Sequence, residues 1–316
     1  MSANRPLLAA EARLASAPGG SPSQAFLRRF RRHPLAVVSL LVLLLLAAAS
    51  AAVPLVEQAL GVTAEQIDLL ARAAPPSAAH PLGTDELGRD LLLRLLHGGR
   101  VSLGVGLAAA LVAASIGTGV GLVAGYLGRR VDALLMRLAD SVIALPLLPL
   151  LIVLAAVDLT KLGVPAELAG SGQADLWRIV LLVALVGWTT TARLVRGTVL
   201  SLKAREYVRA AEALGAGPAR ILWRHILPNA LSPVIVATTL SVGNVILIES
   251  VLSFLGFGIQ PPLPSWGNML TGAQETLWSA PMLAIWPGLA IFVTVIAANF
   301  LGDGLQDALD PRTDRR

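Results

Sequence analysis

Few residues in this chain have the type and spacing that covalent chemistry requires. Neither Lys161 nor Lys203 follows a glycine, so no Walker A loop is present to bind the phosphates of ATP. No Gly-x-Ser-x-Gly elbow occurs, and no pair of histidines has the spacing of a zinc-binding helix. The histidines lie in separate segments, at His33, His80, His97 and His225. Because cysteine is also absent, the sequence predicts no catalytic residue, no metal site and no cofactor bound by this chain.

Polar residues inside apolar stretches are the remaining candidates for function, because a charge in lipid needs a partner or a water-filled cavity. Arg137 and Asp140 are three residues apart, so pairing with each other and lining a transport pathway are both open. Pro146 removes a backbone donor and predicts a bend. Asn244 and Glu249 stand among apolar neighbours, and Glu249 lies near the outer end of its segment. We predict these five residues to line a pathway or a gate.

Composition identifies the medium around these residues. Hydrophobic residues make up 55% of the 316 residues and charged residues 14%, whereas a soluble domain carries about 25% charged residues. A globule of this size cannot bury so much apolar surface, so membrane lipid is the predicted surrounding. The same balance argues against a soluble enzyme, a coiled coil and a disordered chain. The net charge of +5 is interpreted as a signal for membrane orientation, and no nucleic acid is expected as a partner.

Six apolar segments predict transmembrane helices, since about 20 helical residues cross a hydrocarbon core of about 30 Å. Each span should be helical because lipid offers no partner for free backbone groups. The fourth segment is the shortest and needs the charged residues at its ends to reach the interface. The first is predicted as an uncleaved anchor because its apolar run exceeds that of a signal peptide. The segments are 34–55, 101–128, 131–157, 179–192, 226–248 with an extension to 255, and 276–302.

The basic residues predict the topology. Arginine and lysine are concentrated before the first span, between the fourth and fifth spans, and at the C-terminus. The positive-inside rule then places both termini in the cytoplasm. The predicted organisation is a cytoplasmic tail over 1–33, the first span with an external segment over 34–100, a five-helix core over 101–307, and a cytoplasmic tail over 308–316.

The external segment is predicted to contain its own helix at the membrane interface, over 85–96. Thr84 or Asp85 can cap its start, and Gly98 with Gly99 would end it. Simple packing and contact with a soluble external protein are both open for this helix.

Two further patterns concern how the spans pack and sit in the bilayer. Gly117, Gly121 and Gly125 recur every four residues, so two helices can approach closely along this face. Packing is the default interpretation, and sliding during transport is the alternative. Three tryptophans near outer boundaries are predicted to anchor the protein in the aromatic belt, namely Trp177, Trp266 and Trp278.

The largest internal loop, predicted over about 193–227, contains a short amphipathic helix that begins at Glu206. Its apolar residues recur at i, i+3, i+4 and i+7, which places them on one face. Gly215 is expected to end the helix. Such a face can enter a groove of a partner protein or rest on the membrane surface, and periodicity leaves both open. The residues of the face are Tyr207, Ala210, Ala211 and Leu214.

This loop resembles the EAA loop of binding-protein-dependent ABC importer permeases. The resemblance implies that the helix is the coupling helix, which sits in a cleft of a cytoplasmic ATP-binding subunit. One position departs from the pattern, because Arg209 stands where the motif begins with glutamate. Glu206 and Glu212, one turn to either side, are candidates for the acidic contact. The matching residues are Arg209, Ala210, Ala211, Gly215 and the segment 225–229.

Other segments resemble the second-type permease subunit of dipeptide, oligopeptide and nickel importers. These segments keep the order and spacing of that family, at 30–36, 80–90, 99–103, 253–267 and 299–312. The resemblance implies an all-α integral membrane protein with six transmembrane helices, the type I ABC importer permease fold, in the bacterial inner membrane. It also implies a homologous permease subunit, two ATP-binding subunits that hold ATP and Mg²⁺, and an extracytoplasmic solute-binding protein as partners.

The function predicted from this resemblance is inward transport of peptides or a related small solute by alternating access. A self-sufficient secondary transporter or channel is the alternative, and it predicts inverted repeats and broken helices that bind ions. A membrane enzyme ranks last because the sequence has no catalytic cluster.

Overall fold

A computed structural model describes residues 22–169 and 171–309 of the chain. These residues form helices and connecting segments, with an isolated β-bridge between Thr84 and Asp90. The helices are α1 (Pro22–Phe30), α2 (Pro34–Ala51), α3 (Val53–Leu60), α4 (Leu91–Leu127), α5 (Arg129–Ala144), α6 (Leu147–Ala155), α7 (Ala166–Ala169), α8 (Gly172–Lys203), α9 (Glu206–Ala213), α10 (Pro218–Ile221), α11 (Leu227–Phe254), α12 (Trp266–Ala273) and α13 (Met282–Leu309).

The predicted all-α membrane fold is confirmed. Helices α2, α4, α8 and α13 are long and apolar enough to cross a membrane, and so is the helical stretch Pro218–Phe254, which contains α10 and α11. Helices α5 and α6 meet at a bend of 88° and supply a sixth span if the bent pair counts as one. Pro146 stands at this bend as predicted, because its ring removes a backbone donor and it begins the new helix as the N-cap of α6.

The predicted separation of a helix over 85–96 from the second span is wrong, because residues 91–96 belong to the same helix as that span, α4, and residues 85–90 precede it. Asp90 caps α4, accepting a hydrogen bond from the backbone N–H of Leu93 at 2.8 Å. Gly98 and Gly99 do not end the helix. A side chain at either position would meet Trp266, so these glycines serve close packing. The boundary predicted at residue 101 therefore falls inside a helix.

The predicted start of the internal loop at residue 193 is also wrong. Helix α8 continues to Lys203, about three turns beyond the uncharged segment from which it was predicted. Arg193 and Arg196 lie on this helix and form ion pairs with Asp140 and Asp132 of α5. Because carboxylates on a neighbouring helix compensate these charges, the arginines do not need to leave the helical segment.

The first described helices pack against the end of α13 at one end of the bundle. Phe30 and Ala36 form a buried cluster with Ala308 of α13, and His33 lies 3.7 Å from Asp307. Helix α1 thus adds structure to the predicted N-terminal tail, and α13 extends to Leu309, past the predicted boundary at 307. The segments 1–21 and 310–316 of the two predicted tails lie outside the described residues.

The glycine repeat of α4 faces α8, in agreement with the packing interpretation. A Cβ atom at Gly121 would lie 2.6 Å from the carbonyl oxygen of Ala192 and 2.7 Å from the Cβ of Val195. Gly117 and Gly125 meet the same helix one turn to either side. At these three positions the close approach of α8 leaves space in α4 only for glycine.

Replacing Gly121 by alanine is expected to destabilise the permease by about 1–3 kcal/mol, because the added methyl group overpacks this interface. Gly119 provides the matched control, since a Cβ atom there has no neighbour within 4 Å. Its replacement by alanine should be neutral or stabilising by up to about 1 kcal/mol, through helix propensity. Thermal unfolding of the two purified variants measures the difference, and equal melting temperatures would contradict this account.

Candidate functional site

The short helix α9 is attached to the bundle through one side chain. Val208 is fully buried against Ile221 and Ile226 of the following segment and against the ends of α4 and α8 that lie nearest to α9. The amphipathic pattern in the sequence did not select this residue. Immediately before α9, Lys203 donates a hydrogen bond to the carbonyl oxygen of Tyr126 at 2.8 Å. These contacts connect α9 to two spans.

The apolar face predicted for α9 points away from the bundle. Leu214 is 88% exposed, Tyr207 and Ala210 are exposed, and Ala211 is half-buried. Gly215 adopts a φ of +82°, a conformation that favours glycine and turns the chain at the end of the helix. The exposed side of α9 is therefore a small apolar surface that does not pack against the rest of the described chain.

Three charged residues surround this surface. Glu206, Arg209 and Glu212 are all exposed, and none forms a salt bridge within the described part of the chain. Their charges are thus available to a partner. Arg209 occupies the position at which the family motif has glutamate, so the charge that this chain presents there is reversed.

Of the two alternatives left open for Arg137 and Asp140, the structure does not show pairing with each other. Asp140 forms an ion pair with Arg193 of α8, while Arg137 is exposed on α5. A second ion pair is less exposed. Arg196 donates from Nη2 to Oδ2 of Asp132 at 2.6 Å and from Nε to Oδ1 of the same carboxylate. Two arginines of α8 therefore hold α5, the helix that precedes the bend at Pro146, against α8.

A double-mutant cycle on Asp132 and Arg196, with alanine at each position, is expected to give a coupling energy of about 1–2 kcal/mol. This pair is bidentate and partly buried, which strengthens a charged hydrogen bond. The Asp140–Arg193 pair is more exposed and should give less than about 1 kcal/mol. Unfolding of the purified permease measures both cycles. A larger coupling in the exposed pair would contradict this ranking.

Glu249 lies in a fully buried polar cluster near the end of α11 that is remote from α9. We call this the outer cluster, because the predicted topology places this end of α11 and the loop that follows it on the external side. Ser102 of α4 donates to its Oε2 at 3.1 Å, and Ser253 donates to its Oε1 at 2.7 Å. Each hydroxyl also accepts from the following loop: Ser102 from the N–H of Trp266 at 3.2 Å, and Ser253 from the N–H of Ile259 at 3.0 Å. One carboxyl group therefore joins two spans and an external loop.

The indole of Trp266 completes this cluster. Its Nε1 donates to the carbonyl oxygen of Leu95 at 2.9 Å, and the residue is 2% exposed. The prediction that Trp266 anchors the protein in the aromatic belt is therefore wrong. Trp177 and Trp278 are exposed, and their role in the belt stays a prediction.

The predicted pathway residues do not meet at one site. Asn244 is exposed on α11, Glu249 is buried in the outer cluster, and Asp140 is paired on α5. Sequence reasoning missed Ser102 and Ser253, whose hydroxyls satisfy the carboxyl group. A sequence signal for this close packing was available in the glycines around the cluster, namely Gly98, Gly99, Gly258 and Gly267.

A large apolar groove of about 910 Å³ lies between α2, α4, α11 and α13. The hydroxyls of Ser115, Thr238 and Thr239 bond to their own helices, whereas the buried hydroxyl of Thr118 has no hydrogen-bond partner among the described residues. None of the predicted pathway residues lines it. The groove is therefore suited to apolar surface and offers little to a charged solute.

These arrangements favour mechanical coupling over covalent chemistry. The described residues contain no group of three His, Cys, Asp or Glu side chains that could hold a metal ion. The buried carboxyl group of Glu249 is hydrogen-bonded within the fold by Ser102 and Ser253. What the chain offers instead is an exposed helix at one end and a tightly bonded cluster near the other, linked by α4, α8 and α11.

Comparisons with known proteins agree with this picture. Residues 117–315 match the family model described as "Binding-protein-dependent transport system inner membrane component". Residues 21–76 match the model described as the N-terminal TM domain of oligopeptide transport permease C.

Several relatives are similar over most of their length. The dipeptide transport system permease protein of Alkalihalophilus pseudofirmus is 37% identical over 292 residues, covering 92% of this chain and 90% of the relative. The oligopeptide transport system permease protein of Bacillus subtilis is 38% identical, covering 90% and 88%. The glutathione transport system permease protein of Pectobacterium atrosepticum is 45% identical, covering 75% and 74%.

Proposed function

Because the chain belongs to the family of binding-protein-dependent transport system inner membrane components, we propose that it is the second-type subunit of a heterodimeric permease that imports peptides. The chain is a permease subunit of an ATP-driven importer, and it is not itself an enzyme. Membership of this family implies an ATPase and a solute-binding protein as partners.

The proposed substrate is a di- or oligopeptide. The named substrates of the three relatives are a dipeptide, an oligopeptide and glutathione, which is itself a small peptide. The alternative of a self-sufficient secondary transporter has no support among these relatives. Since the cytoplasmic helix α9 serves no internal packing beyond Val208, a transporter without partners would also leave that helix unexplained.

The observation that carries the proposal is the exposed apolar face of α9. Tyr207, Ala210 and Leu214 form an apolar surface of the kind that enters a groove in a helix-in-groove contact. In the proposed assembly, each of two ATP-binding subunits binds ATP and Mg²⁺ and receives one coupling helix, from this chain or from the homologous permease. Glu206 and Arg209 lie beside the face and set its charge, and Gly215 fixes its end.

The proposed mechanism is alternating access. Closure of the ATPase pair moves α9, and the contacts of Val208 and Lys203 pass this movement to α4 and α8. The spans then exchange between inward-open and outward-open arrangements, with Arg137, Asp140, Pro146, Asn244 and Glu249 as candidate pathway or gate residues. This requires α9 and both termini to lie in the cytoplasm, in keeping with the positive-inside rule.

Reconstitution into proteoliposomes tests the proposal. The chain is combined with its homologous permease, the ATP-binding subunits and the solute-binding protein, and uptake of a labelled dipeptide is measured. We expect uptake that requires ATP and the binding protein, and no ATP hydrolysis by this chain alone. Uptake that persists after the ATP-binding subunits are omitted would show a self-sufficient transporter and refute the proposal.

A further inference from the structure

The junction of α1 and α2 carries a group of exposed arginines, which we call the arginine corner. Its members are Arg28, Arg31 and Arg32, and the first stands three and four residues before the other two. Side chains at this spacing are neighbours, and like charges there repel each other. None of the three forms a salt bridge within the described part of the chain. The sequence has no aspartate or glutamate between Glu11 and Glu57, so the positive charge is not compensated locally.

Apolar packing holds α1 in place. The rings of Phe26 and Phe30 stack with their centroids 6.0 Å apart, and Phe30 is buried against Ala36 of α2 and Ala308 of α13. At about 100° per residue, Arg28 lies on the opposite side of α1 from these two rings. The apolar side of α1 is therefore docked on the bundle, and its basic side is kept outward. Donors that are fixed in this way lose little entropy when they bind an anion.

Backbone hydrogen bonds define the turn that joins α1 to α2. The N–H of Arg31 donates to the carbonyl oxygen of Leu27 at 3.0 Å. The N–H of His33 donates to the carbonyl oxygen of Phe30 at 3.0 Å, and its ring lies 3.7 Å from Asp307 at the end of α13. The turn is therefore fixed on both sides, and the arginine corner has a defined position relative to α2.

The start of α2 places the arginine corner at the level of lipid headgroups. Helix α2 begins at Pro34, and Leu35 in its first turn is already 59% exposed, as lipid contact requires. Arg32 precedes Pro34 by two residues, so the two Cα atoms are no more than about 7 Å apart. A headgroup layer is about 5–7 Å thick. The guanidinium groups therefore lie within reach of lipid phosphates.

Lipid borders α2 next to this corner. The exposed apolar side chains of α2 extend around more than half of the helix, over roughly 220° at 3.6 residues per turn. A single neighbouring helix cannot cover an arc of this width, so at least one side of α2 faces lipid. These side chains are Leu35, Val38, Leu40, Leu41, Leu44 and Leu45.

We propose that the arginine corner binds the phosphate groups of anionic phospholipids in the leaflet next to α1, which the predicted topology makes the cytoplasmic one. Guanidinium groups match phosphate oxygens in pairs, and basic residues directly beside a span attract anionic headgroups. The positive-inside rule accounts for arginines on this side of the membrane. It does not require them to stand on a helix that is docked against α13. Bound lipid accounts for both features and attaches the ends of α2 and α13 to the membrane surface.

Thermal unfolding of the full chain in detergent micelles tests this site. Phosphatidylglycerol, phosphatidylcholine and soluble glycerol phosphate are titrated separately, and only phosphatidylglycerol should raise the melting temperature substantially. Replacing Arg31 and Arg32 together by glutamine should raise its half-saturating mole fraction at least about tenfold. Arg205→Gln with Arg220→Gln is the matched control, because it removes the same charge from exposed arginines of the loop around α9. Its half-saturation should stay within about twofold of that of the unmodified protein.

Four outcomes would overturn the proposal. Equal stabilisation by the two lipids would show that the corner does not distinguish anionic headgroups, and stabilisation by glycerol phosphate would show a site for soluble phosphate. Unchanged lipid binding in the Arg31 and Arg32 variant, with loss of co-purifying ATP-binding subunits, would show a protein contact. If that variant does not fold, a salt titration of the unmodified protein decides, because added salt should weaken binding of phosphatidylglycerol and an effect independent of salt contradicts the site. The measurement needs neither ATP nor a binding protein, so its failure leaves the proposed function intact.

Discussion

Replacing Leu214 by aspartate is expected to reduce ATP-driven uptake at least about 30-fold without unfolding the permease. Leu214 is 88% exposed, so the substitution removes almost no internal contact. In the proposed assembly the same side chain is buried in the ATP-binding subunit, where the loss of a central anchor costs about 2 kcal/mol or more. Placing a carboxylate in that apolar cleft adds a desolvation cost. The measurement is uptake of labelled peptide into proteoliposomes, with co-purification of the ATPase as a second readout.

Ala213→Asp is the matched control for this prediction. It adds the same charge to the same exposed helix, but Ala213 lies off the face formed by Tyr207, Ala210 and Leu214. Uptake should stay within about threefold of the unmodified protein, since most surface substitutions cost less than about 0.5 kcal/mol. If both variants lose uptake equally, charge near α9 matters and its apolar face does not. If neither variant loses uptake, α9 is not the coupling helix.

The exposed face of α9 was predictable from the sequence because its periodicity is local. Residues one turn apart determine which side of a short helix is apolar, and no distant contact enters that argument. Val208 was missed for the opposite reason. Its burial depends on Ile221, Ile226 and the ends of α4 and α8, which no pattern within α9 reveals.

The number and type of the spans were predictable, but their ends were not. Hydropathy locates stretches that lipid tolerates, whereas a helix continues wherever its charges find partners. The sequence places Arg193 and Arg196 in a loop, whereas the fold pairs them with Asp140 and Asp132 of α5. The sequence separation of these pairs hides the compensation.

Glycine has two structural roles in this chain, close helix packing and helix termination, and the sequence alone does not distinguish them. The sequence predicts a helix end at Gly98 and Gly99, but both are buried within α4 against Trp266. It also predicts a helix end at Gly215, and there φ is positive. The distinction depends on whether a neighbouring side chain occupies the space of the missing Cβ, which only the fold determines.

The outer cluster gives α4, α11 and the external loop a common fixed point. Since Glu249 contacts both Ser102 and Ser253, a movement that separates α4 from α11 at this level must break a hydrogen bond of a buried carboxyl group. Such a bond is costly to leave unmade. The cluster therefore favours concerted movement of the two helices, which suits a gate near the outer surface.

Glu249→Ala is expected to destabilise the permease by about 2–5 kcal/mol. The substitution leaves the hydroxyls of Ser102 and Ser253 without their acceptor and creates a cavity in a fully buried site. Because the two serines also hold the loop at Trp266 and Ile259, the external loop should loosen with them. Thermal unfolding of the purified protein measures the first effect, and proteolysis of the loop measures the second.

Two further variants make this expectation specific. Glu249→Gln keeps the shape, and a serine hydroxyl can either donate to its carbonyl or accept from its amide, so the loss should stay within about 1 kcal/mol. Asn244→Ala removes an exposed polar group from the same helix and should change stability by less than about 0.5 kcal/mol. A glutamine variant as unstable as the alanine variant would mean that the negative charge, and not the hydrogen bonds, holds the cluster. Stability unchanged in all three would show that Glu249 does not join α4 to α11, and the proposed outer gate would lose its fixed point.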